Sequence, residues 1–173
     1  MSAADWLSTA RLLLVAAMWP VALVGQGRLL GLGLMVAALT DALDGHLARR
    51  HHGASRHGAR LDAIADTVLL VSTAAWLQVL HPQLLPDNFG AIAITSALYV
   101  ASVAASWIAF RRLADPRRLS AKIAGALLYG FALFTLLTGV YEPLMLDIAL
   151  LALAISSAET LMAVSRTVQP FQR

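Results

Sequence analysis

The sequence predicts an all-α protein: a polytopic membrane bundle of six transmembrane helices with both termini in the cytoplasm. Three observations lead there. Hydrophobic residues make up 59% of the 173, and mean hydropathy is +0.72. Charged residues are 13%, where a soluble chain carries about a quarter. The apolar residues also gather into runs near the ~20 residues that cross a hydrocarbon core about 30 Å thick.

The first run, 6–25, could be read as a secretory signal. Asp5, a single basic residue ahead of the apolar stretch and the lack of a small-x-small cleavage site favour a membrane helix instead. Gly25 to Arg28 breaks the chain before the second run, 29–49. The arginine- and histidine-rich stretch 50–58 separates it from the third, 60–80. His81 to Asn88, with two prolines, precedes the fourth, 89–110. Arg111 to Arg118 leads to the fifth, 120–140, and Tyr141-Glu142-Pro143 to the sixth, 145–165. There is no internal repeat, low-complexity tract or dividing linker, so residues 1–173 read as a single domain.

Orientation follows from the basic residues. With the N-terminus inside, Arg11, Arg49, Arg50, Arg56, Arg60, Arg111, Arg112, Arg117, Arg118, Lys122, Arg166 and Arg173 fall on the inner side, and Arg28 alone outside. Short loops give the positive-inside rule full force. The arginines are divided among short breaks, which argues against nucleic-acid binding. Without cysteine there is no disulfide, thiolate metal site or sulfur nucleophile. Ala121-xxx-Gly125 and the alanines 97, 101, 104 and 105 offer small surfaces for close helix packing, or reflect a common residue.

The chemistry-bearing stretch is TDALDGHLARRHHGASRHGARLDAIAD, Thr40 to Asp66. Asp41 and Asp44 are three apart at the inner end of the second run, and Asp62 and Asp66 four apart at the inner start of the third. On helices those spacings put each pair on one face. Antiparallel neighbours would bring the four carboxylates to one depth. Ionised acids at membrane depth cost several kcal/mol and repel one another. Arg49, Arg56 and Arg60 offset part of that charge; divalent Mg²⁺ or Mn²⁺ does so better, since carboxylate-only sites suit hard cations. Two metals sharing carboxylates form a clamp for displacement at phosphorus. Gly45, Gly53 and Gly58 allow close backbone approach. The competing reading is plain pairing of acids with arginines at solvated helix ends.

The spacing Asp41-xx-Asp44-Gly45-xx-Ala48-Arg49, eight residues, Gly58-xxx-Asp62-xxx-Asp66 resembles the signature of the CDP-alcohol phosphatidyltransferases at every fixed position. That family is built from six membrane helices with the motif on spans two and three. The resemblance implies transfer of a phosphatidyl group from CDP-diacylglycerol to an alcohol, with release of CMP. It implies that Asp41, Asp44, Asp62 and Asp66 hold two divalent metals and that Asp66 is also the general base. Gly45, Ala48, Arg49 and Gly58 would line the nucleotide pocket. It further implies a homodimer in the inner membrane, with the site facing the cytoplasm.

TDALDG, the short chain and Leu7-Ser8-xx-Arg11 are similar to the phosphatidylglycerophosphate synthase branch, which implies glycerol 3-phosphate as acceptor. Ala63, Thr67, Asp5 and the stretch Leu119 to Gly130 depart from that branch's pattern, which leaves inositol phosphate, serine and phosphatidylglycerol as rival acceptors. Arg111, Arg112, Arg117, Arg118 and Lys122 lie on the same side as the aspartates and suit an acceptor phosphate or, equally, an anionic lipid surface.

Of the other polar residues, Glu159 sits inside the sixth run beside Ser156 and Ser157, a place for an orienting or a packing acid. His51, His52 and His57 read as loop residues rather than metal ligands. Trp6 fits an interfacial anchor; Trp19, Trp76 and Trp107 fit less well. A cation transporter is the rival function from another class, but it calls for acids along the whole crossing. Here Asp87, Glu142 and Asp147 lie at the far rim.

Overall fold

The computed structural model describes the backbone of residues 3–50, 56–110 and 119–168, and within them the side chains of 6, 8–40, 61, 64–108 and 119–165. Among the described residues every regular element is an α-helix: α1 (Ala3–Leu23), α2 (Gly27–Arg50), α3 (Arg56–Leu80), α4 (Leu84–Asp87), α5 (Phe89–Phe110), α6 (Leu119–Thr138) and α7 (Pro143–Val168). Each predicted run coincides with one of the six long helices. The one-turn α4 falls in the stretch expected to be a loop; Leu84 closes a turn onto the His81 carbonyl there, at 3.0 Å.

Among the described residues three helices are long and apolar enough to cross a membrane: Phe89–Ile108, Leu119–Thr138 and Pro143–Ser165. Within the described residues the first three long helices contribute the apolar stretches Ser8–Leu23, Gly27–Thr40 and Ile64–Leu80.

The chain divides into two compact units. The first holds α1, α2, α3 and residues 132–141. Within it α1 packs most extensively on α3 and also on α2. Its core includes Val15, Leu30, Leu34, Trp76 and Leu136, all nearly inaccessible. Trp19 of α1 meets Trp76 of α3 edge to face, ring centroids 6.3 Å apart; Trp76 is buried in the core, while Trp19 keeps an exposed edge. Trp6 and Trp107 are exposed.

The turn from α1 to α2 is a Schellman closure. Gln26 N–H bonds to the Val21 carbonyl and Gly25 N–H to the Ala22 carbonyl, at 3.1 and 3.0 Å. Gly25 has φ +79°, which only glycine adopts without strain. The short turn returns α2 alongside α1. Gly33 of α2 lies so close to α1 that a Cβ there would come within 2.6 Å of the Met18 sulfur. Gly31 likewise faces Leu137, and Gly27 the Leu136 carbonyl.

The second unit holds residues 85–131 and 142–173. Here α5 packs along α7, and buried Ser102, Ser106, Ser156 and Ser157 let the helices approach closely. Ser102 and Ser157 donate back to the Tyr99 and Leu153 carbonyls of their own helices, both at 2.8 Å, so these hydroxyls cost little in an apolar setting. Ala97, Ala101 and Ala104 are exposed, and a Cβ at Gly125 would meet nothing within 4 Å. Among the described residues, Ala97, Ala101, Ala104 and Gly125 are therefore not close helix contacts, whereas Gly27, Gly31 and Gly33 are. Large apolar side chains such as Leu13, Val71, Ile94, Ile108 and Leu151 stand exposed around the long helices, a surface suited to lipid.

Candidate active site

The motif residues lie on two helices with little chain between them. α2 runs through Arg50 and α3 starts at Arg56, so the described helices come within five residues of each other in sequence, where a longer break was expected. Asp41, Asp44, Gly45 and Ala48 follow one another on α2 at steps of three, one and three residues, which repeat one helical face. Gly58 belongs to α3, not to a loop, and Gly58, Asp62 and Asp66 stand at successive four-residue steps. That spacing makes a single stripe along α3. His57 is helical too.

Asp66 is the motif acid whose side chain is described. The Arg11 guanidinium, from α1, donates to its Oδ1 at 2.5 Å, across 55 positions of sequence. The Arg11 side chain is 1% exposed and that of Asp66 55%. A guanidinium so buried needs a carboxylate to remain charged at acceptable cost. The Asp66 side chain itself remains about half accessible. Ser8, one turn before Arg11, is buried on α1 as well.

The side chains of Asp41, Asp44, Asp62, Ala48 and Arg49, and the surroundings of Gly45 and Gly58, lie outside the described residues. So do Arg111, Arg112, Arg117, Arg118, His51 and His52. Convergence of the four carboxylates is therefore an expectation carried by helix position. Among the described residues no group of three or more histidines, cysteines or acids stands together. The motif acids of α2 and α3 offer carboxylate oxygens, and the one whose side chain is described, Asp66, is about half exposed. That chemistry fits a hard divalent cation such as Mg²⁺ or Mn²⁺. Lys122 is exposed in the first turns of α6. Glu159 is half-buried on α7 and accepts a hydrogen bond from Ser120.

Arg11 is the residue that sequence reasoning missed. In the sequence Arg11 reads only as a topology charge and as part of the Leu7-Ser8-xx-Arg11 lead-in. The signal was present: a basic residue inside an apolar run is costly and needs a partner. Its identity could not be read from spacing.

A model of the family described as CDP-alcohol phosphatidyltransferase matches residues 1–164. A curated relative, the CDP-diacylglycerol–glycerol-3-phosphate 3-phosphatidyltransferase of Haemophilus influenzae, is 38% identical over 74 residues, covering 43% of this chain. The matched stretch spans 40% of that relative's length. No solved structure matches.

Proposed function

Since the chain belongs to the CDP-alcohol phosphatidyltransferase family, we propose that it is a membrane enzyme of phospholipid biosynthesis that moves a phosphatidyl group from CDP-diacylglycerol to an alcohol, releasing CMP. The observation that carries this reading is the placement of the motif. Every fixed position falls on α2 or α3 at helical spacing, and Asp66 is anchored with its carboxylate half open.

Asp66 takes the proton of the acceptor hydroxyl. The acceptor oxygen then attacks the phosphorus that carries the diacylglyceryl group. The bond from that phosphorus to the oxygen bridging to CMP breaks, and its electron pair leaves with CMP. Asp41, Asp44, Asp62 and Asp66 would hold two divalent ions, Mg²⁺ or Mn²⁺, which supply charge neutralisation for the diphosphate and the departing CMP. Gly45, Ala48, Arg49 and Gly58 line the nucleotide pocket, where the glycines let the diphosphate approach backbone.

Glycerol 3-phosphate is the acceptor this reading favours. The name of the partial relative supports it, as do the basic residues Arg111, Arg112, Arg117, Arg118 and Lys122, whose charge suits a phosphate. Inositol phosphate, serine and phosphatidylglycerol are the acceptors to test beside it. The same reading includes one domain over 1–173, six spans with both termini cytoplasmic, an inner-membrane site open to the cytoplasm, and a homodimer. The positive-inside distribution of basic residues supports the orientation. The cation-transporter reading has no support and is not retained.

The test is to incubate the purified protein with CDP-diacylglycerol, Mg²⁺ or Mn²⁺ and a panel of alcohols, and follow CMP release. Turnover is expected with glycerol 3-phosphate, to vanish with chelator and to return with metal. Asp66→Asn should abolish turnover while nucleotide binding persists. Near-normal rates in that variant would remove Asp66 as the base, and turnover in chelator would remove the metals.

A further inference from the structure

Arg11 comes from outside the two helices that carry the aspartates, yet it is bonded to the last of them. The exposures of the two partners decide what it can do. With 1% of its side chain accessible, Arg11 has no surface on which to receive a substrate phosphate. It can still act through the Asp66 carboxylate that it holds. Asp66, at 55%, keeps an open side for a ligand.

We propose that Arg11 is a positioning residue. It fixes the orientation of Asp66 from behind, so that the carboxylate presents one geometry to the metals and the acceptor hydroxyl. This rests on the reading of Asp66 as base and metal ligand. An aspartate on an open helix face otherwise samples several staggered rotamers. Displacement of a reacting group by about 1 Å can cost on the order of 100-fold in rate. The platform for Arg11 is well fixed. α1 is held to α3 through Trp19 and Trp76 and to α2 through Met18 against Gly33, and those are the helices that carry the motif. α1 is thus a wall of the site as well as a membrane helix.

The test uses the full chain in lipid nanodiscs, with Arg11→Met and Arg11→Lys. Four quantities are measured: kcat, KM for CDP-diacylglycerol, the thermal midpoint, and Mn²⁺ binding by titration and electron paramagnetic resonance. Arg11→Met is expected to fold, bind the same number of Mn²⁺ ions and keep KM within about threefold. Its kcat falls by about tenfold or more, and the spectrum of bound Mn²⁺ changes as Asp66 reorients. Arg11→Lys, which keeps the charge but loses the planar fork, recovers part of kcat. Should Arg11→Met not fold, the lysine variant carries the test with the same signature: lower kcat, unmoved KM, altered spectrum. A folded variant with unchanged kcat and spectrum overturns the proposal. Joint loss of Mn²⁺ binding, KM and kcat also overturns it, since that pattern marks a purely structural residue. If the unaltered protein binds Mn²⁺ but releases no CMP with any alcohol, the transferase reading fails. The spectral comparison then still decides the role of Arg11.

Discussion

The Ser120 hydroxyl donates a 2.6 Å hydrogen bond to Oε2 of Glu159, linking the first turn of α6 to α7. An acid within a membrane helix is costly unless satisfied, and here a small hydroxyl from a neighbouring helix does part of that. Hydrogen bonds between membrane helices contribute on average about 0.6 kcal/mol, and up to about 1.7. A double-mutant cycle of Ser120→Ala and Glu159→Gln is expected to give a coupling near 1 kcal/mol in unfolding from detergent micelles. Additivity of the two substitutions would show that the bond contributes nothing.

The close approaches of α2 predict an order of tolerance. A Cβ at Gly33 meets the flexible thioether of Met18, which can swing aside. One at Gly31 meets Leu137 from two sides, Cδ2 at 2.7 Å and the backbone nitrogen at 3.2 Å, and the backbone cannot yield. Overpacking costs about 1–3 kcal/mol, against which a glycine-to-alanine change returns up to about 1 in helix propensity. Gly31→Ala should therefore lower the thermal midpoint clearly, and Gly33→Ala little. The reverse order would mean that α2 does not sit as described.

Stability around the Arg11–Asp66 pair should be asymmetric. Asp66→Ala leaves the buried guanidinium without this carboxylate, whereas Arg11→Met leaves a half-exposed carboxylate that solvent can reach. Breaking a fully buried pair costs about 3–5 kcal/mol. With Asp66 half open, about 1–3 is expected for Asp66→Ala and less for Arg11→Met. The double variant should regain much of the loss. Chemical denaturation of the three variants reads this directly, and equal costs for the two single changes would contradict it.

The proposed acceptor role of the basic segment has its own test. Joint replacement of Arg111 and Arg112 by glutamine is expected to raise KM for glycerol 3-phosphate by about tenfold or more, because each guanidinium can grip the phosphate with paired hydrogen bonds. KM for CDP-diacylglycerol should stay within about twofold. Unchanged acceptor kinetics would return these residues to anchoring at the lipid surface.

Much of this molecule was settled by sequence alone. Composition marked it as a membrane chain, and each of the six apolar runs falls on a helix. The motif was legible because its information is local: steps of three and four residues define one helical face wherever the helix lies. Even the boundaries that moved did so locally, as when α3 took in Gly58.

What only the tertiary structure decided is which helix stands behind that face. Arg11 and Asp66 are 55 positions apart, and no periodicity links them; their meeting depends on how α1 packs against α3. The same holds for Gly31 against Leu137 and Ser120 against Glu159. Helical geometry fixes a side chain's direction from its own turn, but its partner is chosen by close packing between segments distant in the chain.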